Sequence, residues 1–367
     1  MDREELKSWL ALSTVPNVGP VRYVSLVRHF GSPGKVLEAS KDKLAGLPDI
    51  GPVTAASIKN QVSWDQAEEQ IGLLEKHGVG LLTFKDRKYP HNLLSIYDPP
   101  PFLFVQGEIA EDDRNAVAIV GCRYPSAYGK RITERVAREL TQEGITVVSG
   151  MARGIDSIGH TSALKEKGRT IAVFGSGLDV IYPPENKKLA ERIASSGALL
   201  SEFPMGTKPD APNFPRRNRL ISGLSLGVVV VEAGAKSGAL LTAGCALEQN
   251  REVFAIPGNL GSKTSEGTNR LIKQGAKLVT SVEDILEELK MTTRDAKSSS
   301  PADKKEDLSH LSDKERNLYL LISDEPDHID KIASGASTSV SDALSTLLSL
   351  ELKGLVRQLS GKMFVRA

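Results

Sequence analysis

The chain is poor in cysteine, with only Cys122 and Cys245 in 367 residues. That excludes a disulfide framework, and the lack of any C-x-x-C pair removes the usual zinc signature. Long apolar runs are missing as well. None approaches bilayer-spanning length, and the acidic start Met1-Asp2-Arg3-Glu4-Glu5 contains no apolar signal region. A cytoplasmic chain with no membrane partner is expected. Net charge is nearly absent: 47 Lys+Arg against 46 Asp+Glu leave +1. Any nucleic-acid surface must therefore be a local patch rather than a global field. Nucleotide signatures are incomplete too. There is no G-x-x-x-x-G-K-[ST] loop. Gly175-Ser176-Gly177 starts a dinucleotide fingerprint, but Val180 holds its last glycine position and Tyr182-Pro183-Pro184 stands where a helix should run. NAD and ATP fit poorly, and no cofactor is expected.

What is present is an alternation of short apolar runs and helical patterns. The run 116–120 breaks at Gly121, and a helical pattern begins beyond Gly129, with Ile132, Val136 and Leu140 recurring every four residues. Further strand-like runs are 145–149, 171–174, 198–200, 227–231 and 253–256. Helical patterns near 154–167, 185–196, 237–249 and 267–275 separate them. Uninterrupted β-branched runs suit strands buried on both faces. The expectation for 76–290 is an α/β fold, a doubly wound mostly parallel sheet with ligands at the carboxyl ends of its strands.

Those ends are rich in glycine and hydroxyl residues. Gly121 is followed by Arg123 and Ser126. The next run ends in Ser149-Gly150 with Gly154 beyond, and another ends at Gly175. The four-valine run 228–231 leads to Glu232 and then to Ser237-Gly238. Small residues let backbone amides approach an anion closely, and a helix start favours negative charge. Arg123 adds a forked cation matched to phosphate. Phe214-Pro215-Arg216-Arg217-Asn218-Arg219 adds guanidiniums beside an aromatic ring, the two halves of single-strand recognition. The plain alternative is ordinary turns with solvated arginines and Phe214 in the core. Catalytic constellations are thin. His160 reads as a structural hydrogen-bonding group, Glu202 and Glu232 as loop anchors, and Cys122 as a small filler without a histidine partner.

The flanks read as separate modules. Val15-Pro16-Asn17-Val18-Gly19-Pro20 recurs as Leu47-Pro48-Asp49-Ile50-Gly51-Pro52. Each copy lies between helical patterns, so 1–75 resembles a SAM-like helix-hairpin-helix pair. The proline after each glycine removes a useful donor and favours a packing role over DNA contact. Residues 76–115 read as a connector leading into the sheet. Residues 291–307 are polar and read as a flexible linker. Residues 308–367 show three helical patterns and two alternating strands about a Ser-Gly turn, a small winged helix. Its third pattern, 339–352, has few basic side chains, which favours protein contact over a major groove.

In this order, the motifs are similar to those of the DprA/Smf family. The matching residues include Gly121-Cys122-Arg123, Ser149-Gly150 with Gly154-Ile155-Asp156 and His160, Gly175 with Gly177-Leu178-Asp179, Phe214-Pro215 with Arg217-Asn218-Arg219, Val230-Val231-Glu232-Ala233, and Ser237-Gly238 with Thr242-Ala243. The resemblance implies an extended Rossmann-like domain that binds single-stranded DNA. It also implies a homodimer that helps load the RecA recombinase during natural transformation, without catalysis. It places phosphate on Arg123 and the backbone after Gly121. Arg217, Arg219 and Lys208 then line the pocket, and Phe214 stands beside a base. Cys122 departs from the serine or threonine usual in the family. The rival reading is a nucleotide phosphoribohydrolase of the lysine-decarboxylase-like group, built on the glycine rim and Glu232. The Pro-Gly-Gly…Gly-Thr…Glu pattern of that group is absent.

Overall fold

The apolar runs become the strands of one nine-stranded sheet. In the computed structural model these are β1 Gly80–Thr83, β2 Phe102–Gly107, β3 Ala116–Val120, β4 Thr146–Ser149, β5 Thr170–Phe174, β6 Ala198–Ser201, β7 Gly227–Val230, β8 Glu252–Ala255 and β9 Lys277–Leu278. Their order is β1-β2-β6-β5-β4-β3-β7-β8-β9. Strands β3 to β9 pair in parallel, whereas β1 and β2 add an antiparallel edge beyond β6. The chain runs outward one way through β4, β5 and β6, and the other way through β7, β8 and β9. The crevice between β3 and β7 is thus the point where winding reverses, the natural ligand site of such sheets. The structure describes residues 1–291, 311–322, 327–336, 338–353, 355–359 and 361–366. The expected linker, from residue 292 onward, lies outside the described residues.

Fourteen helices accompany the sheet among the described residues up to 291. The first six are α1 Arg3–Ser13, α2 Pro20–Phe30, α3 Pro33–Glu38, α4 Lys41–Ala45, α5 Pro52–Asn60 and α6 Trp64–His77. The rest are α7 His91–Leu94, α8 Ala127–Gln142, α9 Ile155–Lys165, α10 Lys187–Ser196, α11 Asn213–Leu224, α12 Gly238–Glu248, α13 Glu266–Lys273 and α14 Val282–Glu288. Alternate strand residues face opposite layers, as the period of two requires. Val117, Ile119, Val147 and Val229 pack against Val136 and Leu140 of α8 and Ala163 of α9. Ala118, Val120, Val148 and Val228 pack against Leu220 and Ile221 of α11 and Ala243 of α12. No helix among the described residues is long and apolar enough to cross a membrane.

The repeated Gly-Pro pairs do start helices: Gly19 and Gly51 are the caps, and Pro20 and Pro52 open α2 and α5. Asn17 and Asp49, at matching repeat positions, both have φ of 66°. Their short polar side chains tolerate that left-handed turn. The chain changes from helix to sheet between α6 and β1, near the expected boundary, yet the packing runs on across it. Trp9 is 1% exposed. It stacks on Tyr23 with centroids 5.7 Å apart and meets Phe84 and Phe102 edge-on. Gln70 of α6 exchanges hydrogen bonds with the Met205 backbone at 2.9 and 3.2 Å. The described residues up to 291 accordingly fall in one compact unit, and those from 311 in a second.

In the second unit, helices Asp313–Leu321, Ile329–Gly335 and Val340–Leu352 stand with a sheet of β10 Asp327–His328, β11 Val356–Leu359 and β12 Met363–Arg366, in the order β10-β12-β11. This is the expected winged helix. Lys353, the cation ending its third helix, is bound to Glu315 at 2.7 Å.

The shared aromatic core predicts joint unfolding of the first unit. Trp9→Ala should cost about 3–5 kcal/mol. In urea titrations, Trp64 fluorescence and amide exchange in β3 and β4 should shift together. A loss confined to the Trp64 signal would mean that the helices and the sheet are independently stable.

Candidate nucleic-acid interface

The crevice at the β3/β7 reversal is built by three buried polar groups. The first is Glu232, 3% exposed, just past β7. Its carboxylate accepts the Ser126 amide at 2.9 Å and the Ser126 hydroxyl at 2.5 Å, and its carbonyl accepts the Cys122 amide at 2.8 Å. Gly129 is required beside it, because a Cβ there would lie 2.3 Å from the Glu232 carboxylate. Ser126 also caps α8, accepting the Gly129 amide at 3.1 Å. Burial and the Glu232 charge push the Cys122 thiol up to about 11. It stays a protonated filler at neutral pH.

The second group is Asp156, whose carboxylate accepts the amides of Gly150 and Ala152, each at 3.2 Å. Burial holds this carboxyl above its usual range, and Arg217 opposes that rise. The third is Arg217, 5% exposed. It donates to the Gly150 carbonyl at 2.6 Å, to the Val173 carbonyl, and to the Asn218 side chain at 3.3 Å. A Cβ on Gly150 would meet its guanidinium at 2.7 Å. Burial lowers Arg217 to about 10, so it still carries charge at neutral pH. His160 lies nearby, fully buried, with Nδ1 2.7 Å from the Thr170 hydroxyl. Burial, and then the Arg217 charge, depress it to about 3. It is a neutral structural group, as its sequence context suggested.

Over Asp156 and Arg217 opens a cleft of about 470 Å³; Glu232 and Ser126 face a neighbouring cavity beside Pro257 and Gly258. It brings together Gly121, Arg123, Gly150, Phe214, Arg217, Asn218, Ser237 and Gly238 from the sequence-based set. Arg123 is exposed and has no ion pair or hydrogen bond among the described residues. Ser237 caps α12, accepting the Ala239 amide at 3.3 Å, and the space beside Gly238 is open. That eleven-residue helix presents its positive end to the cleft.

Seven expected residues do not line it. Ser126 and Ser149 are held by internal bonds, the Ser149 hydroxyl donating to the Ile119 carbonyl at 2.6 Å. Gly154 has φ of +78° and lies tight against the Cys122 and Arg123 carbonyls, so it belongs to the outer side of the turn. Gly175 is covered by the Phe214 ring. Lys208 is exposed elsewhere, and Arg216 lies over the Phe203 ring at 5.1 Å. Arg219 corrects the role that the resemblance implied. It pairs with Glu202 and, at 3.3 Å, with Asp98, on the side of α11 away from the cleft. Two residues along a helix turn the side chain about 200°, so Arg217 and Arg219 cannot share one face.

The structure adds lining residues that sequence reasoning passed over: Tyr124, Arg153, Tyr182 and Lys236. Tyr182 and Phe214 have centroids 6.0 Å apart. Arg153 is engaged by Glu185, whereas Lys236 has no ion-pair partner among the described residues. Tyr124 beside Arg123 was the one available signal, an aromatic next to a free guanidinium. Unpaired cations, open helix-start amides and exposed rings can hold a polyanion and stack its bases. No three His, Cys, Asp or Glu side chains gather as a metal site among the described residues.

The chain has recognisable relatives among known proteins over its whole length. A family model described as DNA recombination-mediator protein A matches residues 80–290. A DprA winged helix domain matches 301–362, and a SAM-like helix-hairpin-helix tandem matches 10–63. Protein Smf of Synechocystis sp. is 35% identical over 404 residues, spanning the whole of both chains. DNA processing protein DprA of Bacillus subtilis is 44% identical over 240 residues, 65% of this chain and 81% of its own. The crystal structure of DprA from Streptococcus pneumoniae superposes with a TM-score of 0.64 at 35% identity, over 78% of this chain and 96% of its own. DNA processing protein A from Helicobacter pylori, described for its single-stranded DNA binding mode, gives 0.51 at 33% identity, over 57% and 95%.

The buried floor makes two stability predictions. Arg217→Ala strands two carbonyls and the Asp156 charge, and should cost about 3–5 kcal/mol, whereas Arg123→Ala should stay within about 0.5 kcal/mol. Both are read from urea midpoints. The His160 ring is depressed when folded, so the unfolded chain takes up its proton first, below the ordinary 6.5. Its contribution is therefore present above pH 6.5 and is lost as pH falls toward 3. The cost of His160→Gln should shrink by about 2 kcal/mol between pH 7.5 and pH 5. A cost independent of pH would show that the ring titrates alike in the folded and unfolded chains.

Proposed function

The chain belongs to the DprA/Smf family, and from that premise and the geometry of the cleft we propose that it binds single-stranded DNA as a recombination mediator. The observation that carries this reading is the pairing of the unpartnered Arg123 and Lys236 with the Tyr182–Phe214 rings over a charged Arg217 floor. Cations without carboxylate partners are free to take phosphates, and rings at the rim stack bases without regard to sequence. An unpaired strand exposes those base faces and a duplex does not. In this proposal the protein acts in the cytoplasm as a homodimer. It protects incoming strands and helps load RecA during natural transformation, without a catalytic step or a cofactor. The family description as a recombination mediator supports that role.

The phosphoribohydrolase alternative draws no support from the cleft. Glu232, its candidate acid, is occupied by the Ser126 amide and hydroxyl. We assign the flanks contact roles, with 1–75 the helix-hairpin-helix module, 76–290 the DNA-binding domain, 291–307 the linker and 308–367 the winged helix. The third helix of the winged unit carries Asp342 and Glu351, and the Lys353 at its end is held by Glu315. That charge pattern suits a protein partner better than a phosphate backbone.

Fluorescence anisotropy with labelled oligo-dT against a duplex of equal length tests the reading. Arg123→Ala and Lys236→Ala should each weaken strand binding and reduce the salt slope by about 0.7 per phosphate contact. Phe214→Ala should cost about 1–3 kcal/mol of binding. Lys208→Ala should leave affinity near the parent value. Equal affinity for duplex, or unchanged salt slopes in the two cation variants, would overturn the proposal.

A further inference from the structure

A second cavity, of about 540 Å³, lies between α8 and α9 on the outer side of the 121–125 turn. Arg123 and Tyr124 line this cavity and the cleft alike. Gly154 makes that sharing possible. Its missing Cβ would lie 2.4 Å from the Cys122 carbonyl and 2.6 Å from that of Arg123. Only glycine lets the start of α9 press so closely on the turn, so the wall between the two cavities is this single stretch of chain. Beyond it stand Lys130 of α8 and Lys165 of α9, both exposed and without an ion pair among the described residues. The hydroxyl residues Thr161 and Ser162 lie along the same wall, and one carboxylate, Glu134, is present. Three cations thus face one anion in a chain whose overall charge is almost balanced.

We propose that a bound single strand leaves the cleft across Arg123 and Tyr124 and continues into this α8–α9 groove, where Lys130 and Lys165 take its phosphates. The inference rests on the single-strand reading of the cleft. Tyr124, 80% exposed, stands at the crossing and offers a stacking face to one base. Past it stand the two lysines and the hydroxyl residues, with Pro125 and Ile158 between them and no further aromatic ring among the described residues to stack on, so the groove holds backbone rather than bases. Glu134 sits inside this path and opposes the phosphates, which gives the inference a charge test of both signs.

The test compares labelled oligo-dT of about six and about sixteen nucleotides, within the range of single-strand site sizes. The double variant Lys130→Ala/Lys165→Ala alters only exposed side chains. It should bind the longer strand about tenfold more weakly, with the salt slope reduced by about 1.4 for two phosphates, and bind the shorter strand as the parent does. Glu134→Gln should tighten the longer strand alone. Equal losses at both lengths would place the lysines in a general charge effect and overturn the path. So would unchanged affinity for the longer strand while Arg123→Ala still weakens both; in that case the cleft reading survives. If Arg123→Ala changes neither length, the cleft reading itself falls and takes this inference with it.

Discussion

A guanidinium buried under the cleft is the constraint around which the middle of this molecule is arranged. Arg217 reaches the carbonyls of Gly150 and Val173, which are neighbours one step past the β4–β5 ladder. A buried cation is tolerated only when its donors are satisfied and an opposite charge is near. The two carbonyls meet the first need. Asp156 meets the second, and it spends its own lone pairs on the Gly150 and Ala152 amides. The turn after β4 is thereby fixed from both sides. Burial, and then the Arg217 charge, keeps His160 neutral, and Arg217 with Asp156 lies beneath the opening.

The arginines of α11 illustrate how one basic cluster divides its labour. Arg216 lies over Phe203 at the surface, Arg217 points into the fold, and Arg219 ties α11 to Glu202 and Asp98. Of its three guanidiniums, this dense basic motif thus contributes one to the cleft. The cations that remain free, Arg123 and Lys236, come from two loops more than a hundred residues apart. This is the usual economy of a binding surface on a doubly wound sheet, where loops at the winding reversal carry the ligand contacts and the helices behind them carry the load.

Glycine serves the same end at three places. Gly129 makes room for the Glu232 carboxylate, Gly150 for Arg217, and Gly154 for the turn that bears Arg123. Each is a close approach of a polar or backbone group, and each would be closed by a single methyl. Of the glycines that looked like phosphate cradles in sequence, Gly150 and Gly154 make room for the protein's own polar and backbone groups, Gly121 for the Ile155 side chain and Gly175 for the Phe214 ring. Gly238, beside open space at a helix start, is the exception.

The alternation of β-branched runs with fourfold apolar spacing determined the elements, their parallel pairing and the winged helix, because those signals are local and repeat along the chain. The Gly-Pro repeats determined two helix starts for the same reason. Sequence also placed Arg123, Phe214 and Gly238 at strand ends, where a ligand site was to be expected. It had no means of separating Arg217 from Arg219, since that depends on which face of α11 meets the sheet. Nor did it foresee Tyr182 beside Phe214, or Trp9 packed on Phe84 and Phe102 across the change from helix to sheet. Those contacts join segments tens of residues apart, and only the register of the folded sheet brings them within reach.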